Sequence, residues 1–342
     1  MKPCLVIGSG FHSWVLGKPS TPLSSWDALI EEVSTVMKVS LPSVALSPVL
    51  RWERLLELAA SDGYQHPTDA TEWVVAGTHA VNVIELHAKF ALKHVIEQHA
   101  KTYPYQSVKA RFPMADPFAT VISLNFDNCW SGPTGYAFSP SSDAFKKGAL
   151  NKNEAGRLKN YMFEINEPDK IFWFPNGSIQ NPSTIRMGLY DYGSQAHALK
   201  VAFNGIKAHE KEVEQRLGTD DWRKVGPVIE AELAKSPADQ NQRVANWVAH
   251  FLYRPIYMAG VGLSQAETGM WWLLAQRARN LARVPVQNRP ATVILAESNT
   301  ALRPLWANRP CGVEALYCEN WDHGWELLHE RAKGNSIDGG TF

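Results

Sequence analysis

Little in this chain is in excess, and its absences narrow what it does. Only four cysteines occur in 342 residues, at positions 4, 129, 311 and 318, and no two form a C-x-x-C pair. That spacing supports neither a disulfide framework nor a zinc module of paired thiolates, so the expectation is no metal and a reduced, cytoplasmic setting. A charge bias is lacking too, since 34 basic residues balance 34 acidic ones. With no global field to draw it to phosphate backbones or anionic lipid, the chain is expected to bind neither nucleic acid directly nor membrane. No apolar run approaches the ~20 residues that cross a bilayer. The opening Met1-Lys2-Pro3-Cys4-Leu5-Val6-Ile7 is broken by Gly8-Ser9-Gly10 and His12 too early for a secretory signal. Internal repeats are absent, and only the small, polar stretch 333–342 reads as a flexible tail.

What is present is ordinary globular material: 45% hydrophobic and 20% charged residues, enough to bury a core. Short apolar runs lie near 4–8, 119–125, 171–175, 184–188, 255–261, 291–296 and 313–318. Most are apolar at consecutive positions, the mark of strands covered on both faces. Longer stretches with apolar spacing of three and four separate them, for example Trp73, Ala76, Ala80, Val83 and Ile84. The pattern predicts an α/β fold: a Rossmann-like open parallel sheet with helices on both faces. Residues 1–332 form one domain, with helical insertions at about 27–110 and 195–252.

Ligands of such sheets bind beyond the carboxyl ends of the strands, which directs attention to four places. After the first run comes Gly8-Ser9-Gly10, where small residues let backbone approach a pyrophosphate, although Ser13 stands where the dinucleotide fingerprint has its third glycine. After the second come Ser123-Leu124-Asn125-Phe126-Asp127, whose amide and carboxylate either hold ribose hydroxyls or cap a turn. After the third, Asn176-Gly177-Ser178-Ile179 reads as a tight turn. After a later one, Gly260-Val261-Gly262-Leu263 precedes Ser264 and Glu267, which read as a capping box.

Taken in order, these elements resemble the sirtuin-like family, particularly its bacterial branch that hydrolyses NAD in anti-phage defence. Pro22-Leu23-Ser24-Ser25-Trp26-Asp27-Ala28-Leu29 is similar to the first loop and helix of that family. The resemblance continues through Asn125-Phe126-Asp127, the stretch from Gly177 to Tyr192, the Gly260–Glu267 segment, and the closing strand with Asp322-His323-Gly324-Trp325. It implies NAD as ligand or substrate. Two departures bear on activity. The zinc module of the family's protein deacylases has no cysteine pairs here, so deacylation is not expected. Asn176 stands where the family has its catalytic histidine, and an amide has no proton-accepting nitrogen.

Under this resemblance Asn125, Asp127 and Asn176 are the catalytic candidates: Asn125 orienting ribose and water, Asp127 supporting positive charge, Asn176 hydrogen-bonding a ribose hydroxyl. Gly8, Ser9, Gly10, Ser123, Gly260 and Gly262 seat the nucleotide, Glu297 reaches the adenosine ribose, and His12 is a candidate base if its loop folds inward. The expected activity is NAD glycohydrolysis with an impaired base, through an oxocarbenium-like state. The alternative is a non-catalytic sensor or scaffold for NAD or ADP-ribose. A homo-oligomer and a protein partner such as an ATPase, an Argonaute-like protein or a sensor subunit go with either reading.

Overall fold

Seven strands form a single sheet in a computed structural model that describes residues 2–17, 20–42, 46–61, 80–104, 117–127, 162–164, 171–179, 182–235, 240–241, 243–263, 267–298 and 303–337. The strands are β1 (Cys4–Ile7), β2 (Thr120–Ser123), β3 (Met162–Glu164), β4 (Ile171–Trp173), β5 (Ile256–Ala259), β6 (Thr292–Glu297) and β7 (Glu314–Cys318), in the spatial order β3-β4-β2-β1-β5-β6-β7. Every neighbouring pair is parallel except β3 and β4. The chain therefore builds outward from β1 in one direction through β2 and β4. It then returns to add β5, β6 and β7 on the other side, which places the topological switch point between β1 and β5.

Two corrections to the sequence reading concern strands. Residues 184–188 are not a strand: Pro182–Thr184 is a 3-10 turn, and Ile185 and Met187 are buried from a loop. Proline lacks an N–H for a ladder, and Gly188 ends the stretch as the N-cap of the next helix. The antiparallel edge strand β3 was not expected, because three residues are too few to show a period.

Alternation along the strands divides the core. Leu5, Ile7, Val121, Tyr257, Ala259, Val293 and Leu295 face one cluster, packed under α1 (Gly10–Leu16), α2 (Trp26–Val36), α3 (Pro48–Ser61), α4 (Ala80–Ala100) and the closing helix. Cys4, Val6, Ile122, Trp173, Ile256, Met258 and Ile294 face the other, under α5 (Leu189–Leu217), α6 (Trp222–Ala234), α7 (Trp247–Tyr253), α8 (Thr268–Leu281) and α9 (Arg303–Ala307). The two helical insertions thus cover opposite faces of one sheet. The closing helix, α10 (Trp321–Ile337), continues past Lys333 into the stretch read as tail. Trp73, Ala76, Cys129, Ser264 and residues 338–342 lie outside the described residues. Among those described, no helix is long and apolar enough to cross a membrane.

Candidate functional site

A cleft of about 250 Å³ opens at the carboxyl ends of β1, β2, β4 and β5, over the switch point. Its rim is made of helix beginnings, as parallel topology requires. Ser25 caps α2 by accepting from the Ala28 N–H and sets Trp26 at its first position. Asn246 caps α7 through the Ala249 N–H and sets Trp247 likewise. Pro48 and Val49 open α3, and Glu267, Thr268 and Gly269 open α8. Tyr192, Gln195, Ala196 and Leu199 line one side, the i, i+3, i+4, i+7 face of α5. Helix N-termini carry unpaired N–H groups and partial positive charge, so this rim favours an anionic group.

The glycine loop does more scaffolding than ligand contact. The Gly8 and Gly10 N–H groups already donate to the carbonyls of Ala259 and Gly260. A Cβ on Gly8 would stand 2.4 Å from the Gly260 oxygen, and one on Gly260 (φ +65°) 2.1 Å from the Phe11 nitrogen. These glycines let the exits of β1 and β5 cross in backbone contact, and the amides of Gly8 and Gly10 are spent on that contact. Gly8, Ser9, Gly260 and Gly262 still line the cleft. Gly262 differs from Gly8 and Gly260 because a Cβ there would meet nothing within 4 Å. Gly10 lies behind, against Gly260.

Beneath the cleft floor lies a closed polar cluster. His12 is wholly buried on α1, with Nδ1 2.8 Å from the Tyr103 hydroxyl and Nε2 3.1 and 3.2 Å from the two oxygens of Asp127. The Asn125 amide nitrogen is 3.2 Å from the same Nε2. Asn125 lines the cleft; His12 and Asp127 do not. Asp127, expected to support positive charge, is in contact with His12, and His12, expected as a base if its loop folded inward, is buried on a helix outside the cleft lining. They orient Asn125 from behind. Ser123 is also buried outside the cleft, its hydroxyl 3.5 Å from the Asn125 carbonyl. Glu297 ends β6, exposed and outside the cleft lining.

Asn176 lines the cleft and ties three elements together. Its Nδ2 donates to the Leu124 carbonyl at 2.8 Å, and its Oδ1 accepts from Gln195 on α5 at 3.1 Å. Gly177 follows with φ +86°, where a Cβ would stand 2.1 Å from the Thr184 carbonyl, so the Asn-Gly turn is structurally required.

Glu267 was read as forming a capping box with Ser264, and its place in the fold is different. It is itself the N-cap of α8 and its side chain makes no capping bond. Burial holds its carboxyl above the usual range, with the Leu263 amide pulling the other way. Among the described residues its buried Oε2 has no hydrogen-bond partner. Leu263 has φ +47°, a strained conformation for a branched residue. Burial, with Glu267 and Asp191 nearby, also raises the Tyr192 phenol. Glu267 is the one carboxylate among the described lining residues, and no lysine or arginine joins it.

Trp26, Tyr192 and Trp247 were not among the candidate site residues and Glu267 was given only a capping role; thirteen tryptophans gave no means of choosing two. Among the described residues no cysteine lines the cleft. Burial pushes Cys4 up to about 12 and Cys318 up to about 11, and both lie outside the cleft. Among the described residues no group of His, Cys, Asp and Glu is placed to hold a metal. Compared with known proteins, the chain matches no protein-family model and no curated protein.

Proposed function

We propose that the chain is a sirtuin-like protein that binds NAD in this cleft and cleaves the bond between ribose and nicotinamide, as a cytoplasmic effector of bacterial anti-phage defence. The observation that carries the reading is the make-up of the cleft. Helix N-termini on the rim suit a diphosphate, whereas three aromatic rings and a lone carboxylate suit a planar, positively charged ring. NAD joins those two groups through ribose, for which Asn125 and Asn176 offer amides. A cleft of about 250 Å³ falls below the ~300–1,000 Å³ of typical ligand pockets. It therefore suits the nicotinamide riboside half, with the remainder of the dinucleotide along the rim. The order of the motifs at the strand ends supports the same reading.

Calorimetry with NAD and ADP-ribose tests it. The expected result is one site with Kd below about 1 mM, or more than ~4 kcal/mol of binding free energy. Asn125→Ala is expected to weaken it about tenfold, through the loss of a hydrogen bond to ribose.

A non-catalytic sensor or scaffold acting through a protein partner is favoured by one observation: Asn176, in the place of the family's base, has its donor and acceptor engaged by Leu124 and Gln195. Self-association would use the exposed Leu189, Tyr190 and Val201 of α5.

A further inference from the structure

We propose that Glu267 is the catalytic proton acceptor of this cleft, standing in for the base that Asn176 cannot supply. The inference rests on the NAD reading above and names the residue on which turnover depends. Among the described lining residues only Glu267 and Tyr192 titrate, and a buried phenol whose ionisation is further opposed by Glu267 is a poor base. Glu267 is the N-cap of α8, yet its side chain makes no bond to the N–H groups of the first turn. Among the described residues one carboxylate oxygen is buried with no partner, an arrangement that costs free energy until a donor arrives. Leu263, whose amide bonds this carboxyl, is a non-glycine residue held at φ +47°, a strained backbone beside the cleft.

The charges around Glu267 do not oppose this role. Tyr192 faces it from α5, and behind Tyr192 the Asp191 carboxylate is paired with Lys89. Ser9, Asn125, Asn176 and Trp247, from the other elements of the lining, carry no charge. The surroundings penalise the ionised form by burial, which makes the carboxylate a stronger base than one in water.

The step balances without a further reactant. The bond from ribose C1′ to the nicotinamide nitrogen breaks with its electron pair passing to the ring, which leaves as neutral nicotinamide. The positive charge passes to the ribose, water bonds to C1′, and the proton of that water passes to the Glu267 carboxylate and then to solvent. NAD and water give ADP-ribose, nicotinamide and one proton.

The test measures nicotinamide release from pH 5 to 9, NAD affinity by calorimetry and melting temperature, for the parent chain and Glu267→Gln, which keeps the shape and removes the charge. The expected result is at least a roughly hundredfold lower kcat at neutral pH, beyond the loss of affinity that follows from removing the charge beside the nicotinamide ring. The parent's kcat should rise with pH through one ionisation above the usual carboxylate range, and that ionisation should vanish in the variant. Equal rates, or a raised KM with unchanged kcat, would overturn the role of Glu267 and leave the NAD reading standing. Tight NAD binding with no release from the parent would do the same. A parent that binds no NAD would overturn both.

Discussion

At the scale of single residues, the glycines separate by what surrounds them. Gly260→Ala would force a methyl group into the Phe11 backbone from a positive φ, and is expected to destabilise the fold by about 3 kcal/mol or more in denaturant titrations. Gly262→Ala has open space before it and is expected to leave stability within ~0.5 kcal/mol while weakening NAD binding. Sequence alone marked both glycines without distinguishing them, because the difference lies in the approach of β1 to β5. Glu267 carries its own stability signature. Its folded-state affinity for protons exceeds that of the unfolded chain, so it contributes stability below the ordinary carboxylate pKa of about 4.3 that is lost as pH rises through the raised value. Glu267→Gln should therefore melt higher than the parent, by a margin that grows between pH 5 and pH 8. A variant that melts below the parent at pH 8 would show that the carboxylate is satisfied.

Among the elements, strands were the most legible part, because β1, β2, β5, β6 and β7 are short apolar runs bounded by turns. The stretch 184–188 looked the same locally and failed as a strand because Pro182 and Gly188 bracket it and the chain doubles back on Gly177, whose neighbour Asn176 accepts from the Arg186 N–H. The join between α7 and α8 was not legible at all. Arg277 of α8 is buried and makes five hydrogen bonds, to the carbonyls of Phe251, Leu252, Pro290 and Ala291 and the hydroxyl of Thr292. It locks the end of α7 against the start of β6, and α7 at its other end presents Trp247 to the cleft. Arg277→Leu strips those carbonyls of their partner and is expected to cost about 3 kcal/mol or more, read as a fall in the urea midpoint. A midpoint unchanged by the substitution would mean that water replaces the guanidinium.

For the whole molecule, a sheet built outward from β1 on both sides gathers residues from distant parts of the chain at one switch point. The positions of Asn125, Asn176 and the glycine pair were readable for that reason, since each follows a recognisable strand. The aromatic wall and the carboxylate were not, since they belong to helix starts whose placement depends on packing across the sheet. The same architecture has no pair of cysteine ligands in sequence, so the purified protein is expected to carry no stoichiometric zinc by elemental analysis and to release no acyl group from peptides. Zinc that survives chelation would contradict this. Whether the cleft over the switch point is a NAD site is decided by a calorimetric titration of the purified chain with NAD, repeated with Asn125→Ala. The account predicts a single site with Kd below about 1 mM that weakens about tenfold in the variant. No heat of binding from NAD or ADP-ribose at millimolar concentration, with the variant indistinguishable from the parent, would contradict it.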